Sequence, residues 1–196
     1  KVKKPNLKLK IKDALSQGGI INYNIADFLN YESSRDVWFS LKFARSRELP
    51  EINSTILAYF ILKNNPKLGF VFSRVLLDLR KITGILKKEI ENLSKDIFKE
   101  EYSLDFQKSI LGAIKIASDR GREIVKTGDL ISAIFEHNSL CKKILIENNL
   151  KTKEIEELTH WLEDLEDKIS EHKRFWEWKN LLRKVSLARE WTEGFT

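Results

Sequence analysis

The feature that most constrains this chain is that it aligns on itself. Displaced by 73 residues, Ala44 falls on Ala117, the candidate helix cap Asn30 falls on Ser103, and the acid Glu32 falls on Asp105. A helix start favours a side-chain acceptor at its cap and a negative charge in its first turn, so both copies carry the same start signal. The same displacement lays Val37, Trp38 and Leu41 on Ile110, Leu111 and Ile114, one apolar face in each copy. A second cap, Ser54, falls on Thr127, and behind it Leu57 and Ile61 fall on Leu130 and Ile134. Further on, Leu76, Leu77, Ile82 and Ile90 match Ile144, Leu145, Leu150 and Leu158 at a displacement of 68, which predicts extra loop residues in repeat one around Asn64, Pro66 and Gly69. Each unit reads as helix, turn, short helix, helix, helix. A fixed period marks a repeated supersecondary unit, and two bundles too small to bury much core alone are expected to pack with pseudo-two-fold symmetry.

Beyond Ile20 the pattern is helical almost throughout, with polar caps between apolar stretches of helical period. From Thr152, the residues Ile155, Leu158, Leu162, Leu165 and Ile169 form a seam that His172 and Trp176 continue, predicting a long C-terminal helix. Acids crowd its first half and Lys168, Lys173, Arg174, Lys179 and Arg183 follow, an order that complements the helix dipole. That helix is expected either to extend as a stalk or to pack on its own domain. The fold class is therefore all-α, with two related helical repeats and a long last helix.

Charge is unevenly placed. The net charge is +6, yet six lysines and no acid stand in the first twelve residues, so the rest of the chain is balanced. Within this arm Leu7, Leu9 and Ile11 alternate with Lys8, Lys10 and Lys12, which suits an extended segment. It reads either as a solvated or strand-paired tail or as a polybasic segment drawn to anionic lipid at the inner face of a membrane. No apolar run approaches the roughly 18 residues that a membrane span requires. One cysteine, Cys141, rules out an intrachain disulfide and fits a reducing, cytoplasmic setting.

The second repeat carries A-S-D-R-G from Ala117 to Gly121, V-K-T-G-D-L-I-S-A-I from Val125 to Ile134, and K-I-L-I-E-N-N-L from Lys143 to Leu150. These segments resemble the second repeat of Clp N-terminal domains, and Asn30 to Leu93 resembles a divergent first repeat. The resemblance covers about two thirds of the chain. It implies a double Clp-N bundle over residues 23–170, with repeat one at about 24–97 and repeat two at about 98–169, after a basic arm at 1–22. Residues 171–196 then form a linker, since W-T-E-G-F-T from Trp191 is similar to a segment preceding the first ATPase module in some relatives. In that family the domain is not catalytic: it receives protein substrates or adaptor proteins for a AAA+ unfoldase. ATP and magnesium belong to ATPase modules elsewhere in the parent, and a Clp peptidase is reached only through that parent.

Some relatives place a T-E-H tripeptide at the second helix of each repeat, where the acid helps read phosphorylated arginine. Thr55 and Gly128 stand in those slots here, so that specificity is not carried over. The helix starts at Asn30, Ser54, Ser103 and Thr127 offer backbone N–H groups that can either be capped locally or receive a partner's carboxylate. Asp119 and Arg120 belong to a charged turn, Asp119 to Glu123, in which Gly121 supplies a left-handed helix stop. Its charges are either solvated or form the rim of a partner groove.

No catalytic, cofactor or metal site is expected in this segment. No G-x-x-x-x-G-K-[ST] occurs, so nucleotide phosphates have no P-loop to bind. His137 and Cys141 lie four apart but lack a third, orienting group, and two ligands do not make a metal site. A stand-alone adaptor of the same fold is the alternative. A nucleic-acid binder using the basic arm, with Trp176, Trp178 and Trp191 beside Lys179 and Arg183, is a third class, and nucleic acid is not the expected partner.

Overall fold

The computed structural model describes residues 24–99 and 101–193. The basic arm lies outside these, as do Gly194–Thr196 at the end of the linker motif and the side chains of Trp178, Lys179, Arg183 and Trp191. Repeat one contains α1 (Tyr31–Ser46), α2 (Ser54–Asn64), α3 (Leu68–Arg74) and α4 (Leu79–Glu91). Repeat two contains α5 (Leu104–Asp119), α6 (Thr127–His137), α7 (Ser139–Glu147) and α8 (Thr152–Glu193). Strands are confined to two dipeptides, β1 (Glu51–Ile52) and β2 (Glu101–Tyr102).

Local chemistry starts and stops these helices at equivalent places. Asn30 caps α1 by accepting the Ser33 N–H at 2.8 Å, and Ser103 caps α5 by accepting the Phe106 N–H at 3.3 Å. Both helices end in a left-handed residue, Glu48 at φ 54° and Gly121 at φ 69°, which are 73 residues apart. The remaining left-handed pair, Leu76 at φ 58° and Asn149 at φ 55°, keeps the same displacement. So do the starts of α4 and α8 at Leu79 and Thr152. The expected slip to 68 residues is thus overturned: the apolar match of Ile82 with Leu150 was a shifted register, and buried Ile82 corresponds to buried Ile155. Helix α7 starts early because Asn138 caps it by accepting the Cys141 N–H at 2.9 Å, while repeat one spends those positions on the turn at Pro66 and Lys67.

The second caps also stand one residue earlier than the sequence suggested. Asn53 caps α2, accepting the Ile56 N–H at 3.0 Å, and Lys126 occupies the cap position of α6. Ser54 and Thr127 are the first helical residues, which frees their hydroxyls for other partners.

The repeats are joined by an exchange of loops. β1 runs parallel to β2, pairing Ile52 with Tyr102, and an isolated parallel bridge pairs Leu29 with Val125. The Ser103 N–H donates to the Ile52 carbonyl at 3.0 Å, and the Asn30 N–H donates to the Val125 carbonyl at 2.9 Å. The segment entering the first helix of each repeat is therefore held by the loop entering the second helix of the other. Such exchange is the pseudo-two-fold relation written in hydrogen bonds. α2 and α6 occupy the middle: Ser54 to Ala58 and Thr127 to Phe135 are buried without a break, the pattern of a helix covered on all sides. A single core cluster spans both repeats, and Phe72 meets Phe135 across them with ring centroids 5.5 Å apart.

The described residues divide into two units between Thr159 and His160. The first holds both repeats and the opening turns of α8, where Ile155 is fully buried. In the second, α8 continues as one helix on which Leu165, Ile169 and Trp176 are 39%, 48% and 56% exposed. No helix among the described residues is long and apolar enough to cross a membrane.

Candidate functional site

The residues singled out at helix starts gather in two places. Around Ser54, the hydroxyl donates to the Asp105 carboxylate, and the Ser54 N–H donates to the same carboxylate at 3.2 Å. Ser103, which caps α5, also donates its hydroxyl to Asp105. From α7, the Asn138 amide donates to the Ser54 hydroxyl at 2.8 Å and to the Thr55 hydroxyl at 2.9 Å. Ser54, Thr55, Ser103 and Asn138 are all buried. A carboxylate from repeat two thus sits on the start of a repeat-one helix, where the N–H groups and the dipole favour negative charge. Burial works against ionisation of Asp105, but hydrogen bonds from Ser103 and Ser54 outweigh it and hold the carboxyl below its ordinary value.

The related place in the other direction is sparser. Asn30 and Thr127 lie near each other through Ser33, whose hydroxyl is 3.4 Å from that of Thr127. Gly128 is buried in α6, and its carbonyl accepts the Ser132 hydroxyl at 2.7 Å. Ser132 in turn lies 3.1 Å from Thr159. Neither Thr55 nor Gly128 carries a carboxylate.

Asp119 and Arg120 sit elsewhere, on the outer side of repeat two. They line a groove of about 520 Å³ together with Lys115, His137 and Glu156. The turn's arginines are not simply solvated: Arg120 pairs with Asp129 at 3.0 Å and with Glu156 at 3.2 Å, and Arg122 pairs with Asp129 at 2.7 Å. Asp129 is fully buried and also accepts the Lys126 N–H at 3.0 Å, so it closes the start of α6. Gly112, which also lines the groove, lets His137 come close to the α5 backbone, since a Cβ there would stand 2.8 Å from His137 Nε2.

Sequence reasoning missed Asn138, Asp129 and Asp36. Asn138 was legible as a cap directly before Ser139, and Asp129 as an acid interrupting the apolar run of α6. Asp36 is fully buried in α1, where both carboxylate oxygens accept amides, from Asn64 at 2.8 Å and Asn65 at 2.7 Å. Burial pushes its carboxyl above the ordinary value despite those bonds. The spacing of Asp36 from its partners carries no local signal. The Cys141 thiol is fully buried, and burial, then the charge of Asp105, push it up to about 12. A thiolate is therefore scarce at neutral pH, and this sulfur is not an activated nucleophile. No cluster of three or more metal-ligating side chains exists among the described residues.

The arrangement has solved counterparts. The N-terminal domain of Hsp104 from Candida albicans superposes with a TM-score of 0.59 at 11% identity, covering 67% of this chain and 89% of that one. The N-domain of ClpV from Vibrio cholerae gives 0.57 at 14% identity, covering 70% and 86%. A ClpV N-domain in complex with a VipB peptide gives 0.57 at 16% identity, covering 71% and 89%. No family model and no curated protein sequence matches the chain. The chain has the fold of the N-terminal domains of Clp-type AAA+ ATPases.

Proposed function

We propose that this chain is a non-catalytic docking module that receives protein substrates or adaptor proteins for a Clp-type unfolding ATPase. The shared fold carries this reading, together with the fact that one domain of that fold is seen holding a partner peptide. Residues 23–170 then form the docking domain and 171–196 the linker towards an ATPase module, which supplies ATP and magnesium chemistry. A cytoplasmic location, with the basic arm near a membrane's inner face, belongs to the same reading. A Clp peptidase would be engaged through the parent and not by this domain.

The test is made on the parent protein. A Walker A motif is expected shortly after Thr196. Deleting residues 1–170 is expected to leave basal ATP hydrolysis intact and to abolish unfolding of substrates delivered by an adaptor. A parent with no nucleotide-binding module would replace this reading with that of a stand-alone adaptor acting in trans.

A further inference from the structure

The outer face of repeat one carries a ladder of aromatic rings partly buried against the core. Along α1 and α2, Trp38 meets Phe39 at 5.2 Å, Phe39 stacks on Phe60 at 6.0 Å, and Phe60 meets Phe43 at 5.5 Å and Tyr59 at 5.4 Å. At the displacement of 73 residues, Phe39, Tyr59 and Phe60 correspond to Gly112, Ser132 and Ala133 in repeat two. The same backbone plan is thus completed there with small residues. Cations lie over exposed Trp38 and the partly buried rings beside it: Lys42 is 5.2 Å from the Trp38 ring centre, Arg47 5.7 Å from Phe43, and Lys63 5.6 Å from Tyr59. Beside the ladder opens a hollow of about 230 Å³, floored by Phe43, Tyr59, Ile90 and Leu93. Three cations, Arg47, Lys87 and Lys95, line it with one carboxylate, Glu91, which lies 3.7 Å from Lys87.

We propose that this face is a docking surface for an acidic peptide segment of a protein partner, anchored by one large apolar side chain in the hollow. The hollow is smaller than the roughly 300–1,000 Å³ of sites for whole small molecules, and its apolar floor suits a single buried anchor. Its cationic lining complements carboxylates on either side of that anchor, which fix register and speed encounter. A single-stranded nucleic acid fits less well: it needs open ring faces on which to stack, whereas Phe39 and Phe60 stack on each other. The proposal rests on the docking reading only in taking the occupant to be a protein.

Binding is measured on the full 196-residue chain by fluorescence anisotropy, which needs no ATPase module and so fails independently of the parent's role. The probe is a fluorescein-labelled peptide, Glu-Glu-Asp-Phe-Glu-Asp-Glu. Saturable binding is expected, weakened by at least about tenfold in the Arg47→Glu/Lys95→Glu variant, as charge pairs at an interface dictate. A similar loss is expected when alanine replaces the peptide's phenylalanine or when lysines replace its acids. Lys143→Glu, on the exposed side of α7 in repeat two, is expected to leave binding unchanged. The proposal is overturned by absent saturable binding, by equal binding to the double variant, or by equal binding of the lysine peptide. Preferential binding of a labelled oligothymidine or of phosphatidylserine vesicles through Arg47 and Lys95 would overturn it as well.

Discussion

Repeat one and repeat two place their helices at one displacement yet fill the space between them with different chemistry. In repeat two, α5 and α6 approach over Gly112 and Ala133, so closely that a Cβ on Gly112 would stand 3.2 Å from that of Ala133. In repeat one, Phe39 and Phe60 occupy those positions and stack. The loop before the second helix diverges likewise: Leu49 and Ile56 are buried in repeat one, where repeat two has Arg122 paired with buried Asp129. Caps and left-handed turns therefore hold the backbone plan, while the filling is free to change. Surface chemistry follows the filling, which is why repeat one presents an aromatic and cationic face where the matching positions of repeat two hold Gly112, Ser132 and Ala133.

The ion cluster offers the hardest way to break this comparison. Removing Asp129 leaves two largely buried guanidinium groups facing each other, and Asp129→Ala is expected to cost about 3–5 kcal/mol in urea unfolding, towards the lower end because Arg120 keeps Glu156. Transplanting repeat one's solution, Asp129→Ile with Arg122→Leu, is expected to recover most of that, since buried ion pairs are often replaced by apolar residues without loss. A cost below about 1 kcal/mol for Asp129→Ala, the level of an exposed pair, would mean that the cluster does not hold this loop.

The interhelical seam is next in size. Gly112→Phe imports the bulk of Phe39 where the helices are closest, and overpacking of this kind costs about 1–3 kcal/mol. The reciprocal change, Phe60→Ala, is expected to cost about 2 kcal/mol, less than a fully buried aromatic because this ring is only partly buried. Both are read from the shift of the thermal midpoint. A Gly112→Phe variant as stable as the parent would show that close approach is not what distinguishes the repeats.

How much of this was legible follows from what kind of signal each feature leaves. The caps Asn30 and Ser103 and the apolar faces behind them are local and periodic, so the repeat and its all-helical class were readable directly. The five-residue slip arose because Leu77 and Ile82 match apolar residues at 68 and at 73 alike, whereas the left-handed pair that fixes the register joins Asn149, a type that favours positive φ, to Leu76, which does not. Asp105 was legible as a first-turn acid of α5, but its contact with Ser54 depends on the exchange of loops between repeats. The hollow beside Phe43 and Tyr59 joins residues from three helices and the loops after α1 and α4, and only the assembled fold brings them together.

A smaller effect tests the two polar junctions. Ser54→Ala takes one acceptor from the Asn138 amide, which keeps Thr55, and removes a donor from Asp105, so about 1–2 kcal/mol is expected, as for buried hydrogen bonds generally. Thr127→Ala, whose hydroxyl is 3.4 Å from Ser33, is expected to cost less than half as much. Equal costs in equilibrium unfolding would show that the junctions are energetically alike despite their different partners.

The finest distinction lies between Asp36 in repeat one and Asp105 in repeat two, two carboxylates shifted in opposite directions. Asp36, raised by burial, binds its proton more readily in the native state than in the unfolded one. Stability should therefore rise as pH falls through its native value towards the ordinary aspartate value of about 3.9. Asp105, held low by Ser103 and Ser54, gives stability that is fully present above the ordinary value and is lost as pH falls from there through its native value. The two contributions occupy adjoining pH windows and have opposite signs. Urea midpoints from pH 7 downward, compared with Asp36→Asn and Asp105→Asn, separate them. The Asp36 variant should lack the rise that precedes the ordinary value, and the Asp105 variant should lack the fall that follows it. Difference curves of the same sign would mean that the two repeats hold their buried charge in the same way, and the contrast between an amide-lined and a hydroxyl-lined carboxylate would fail.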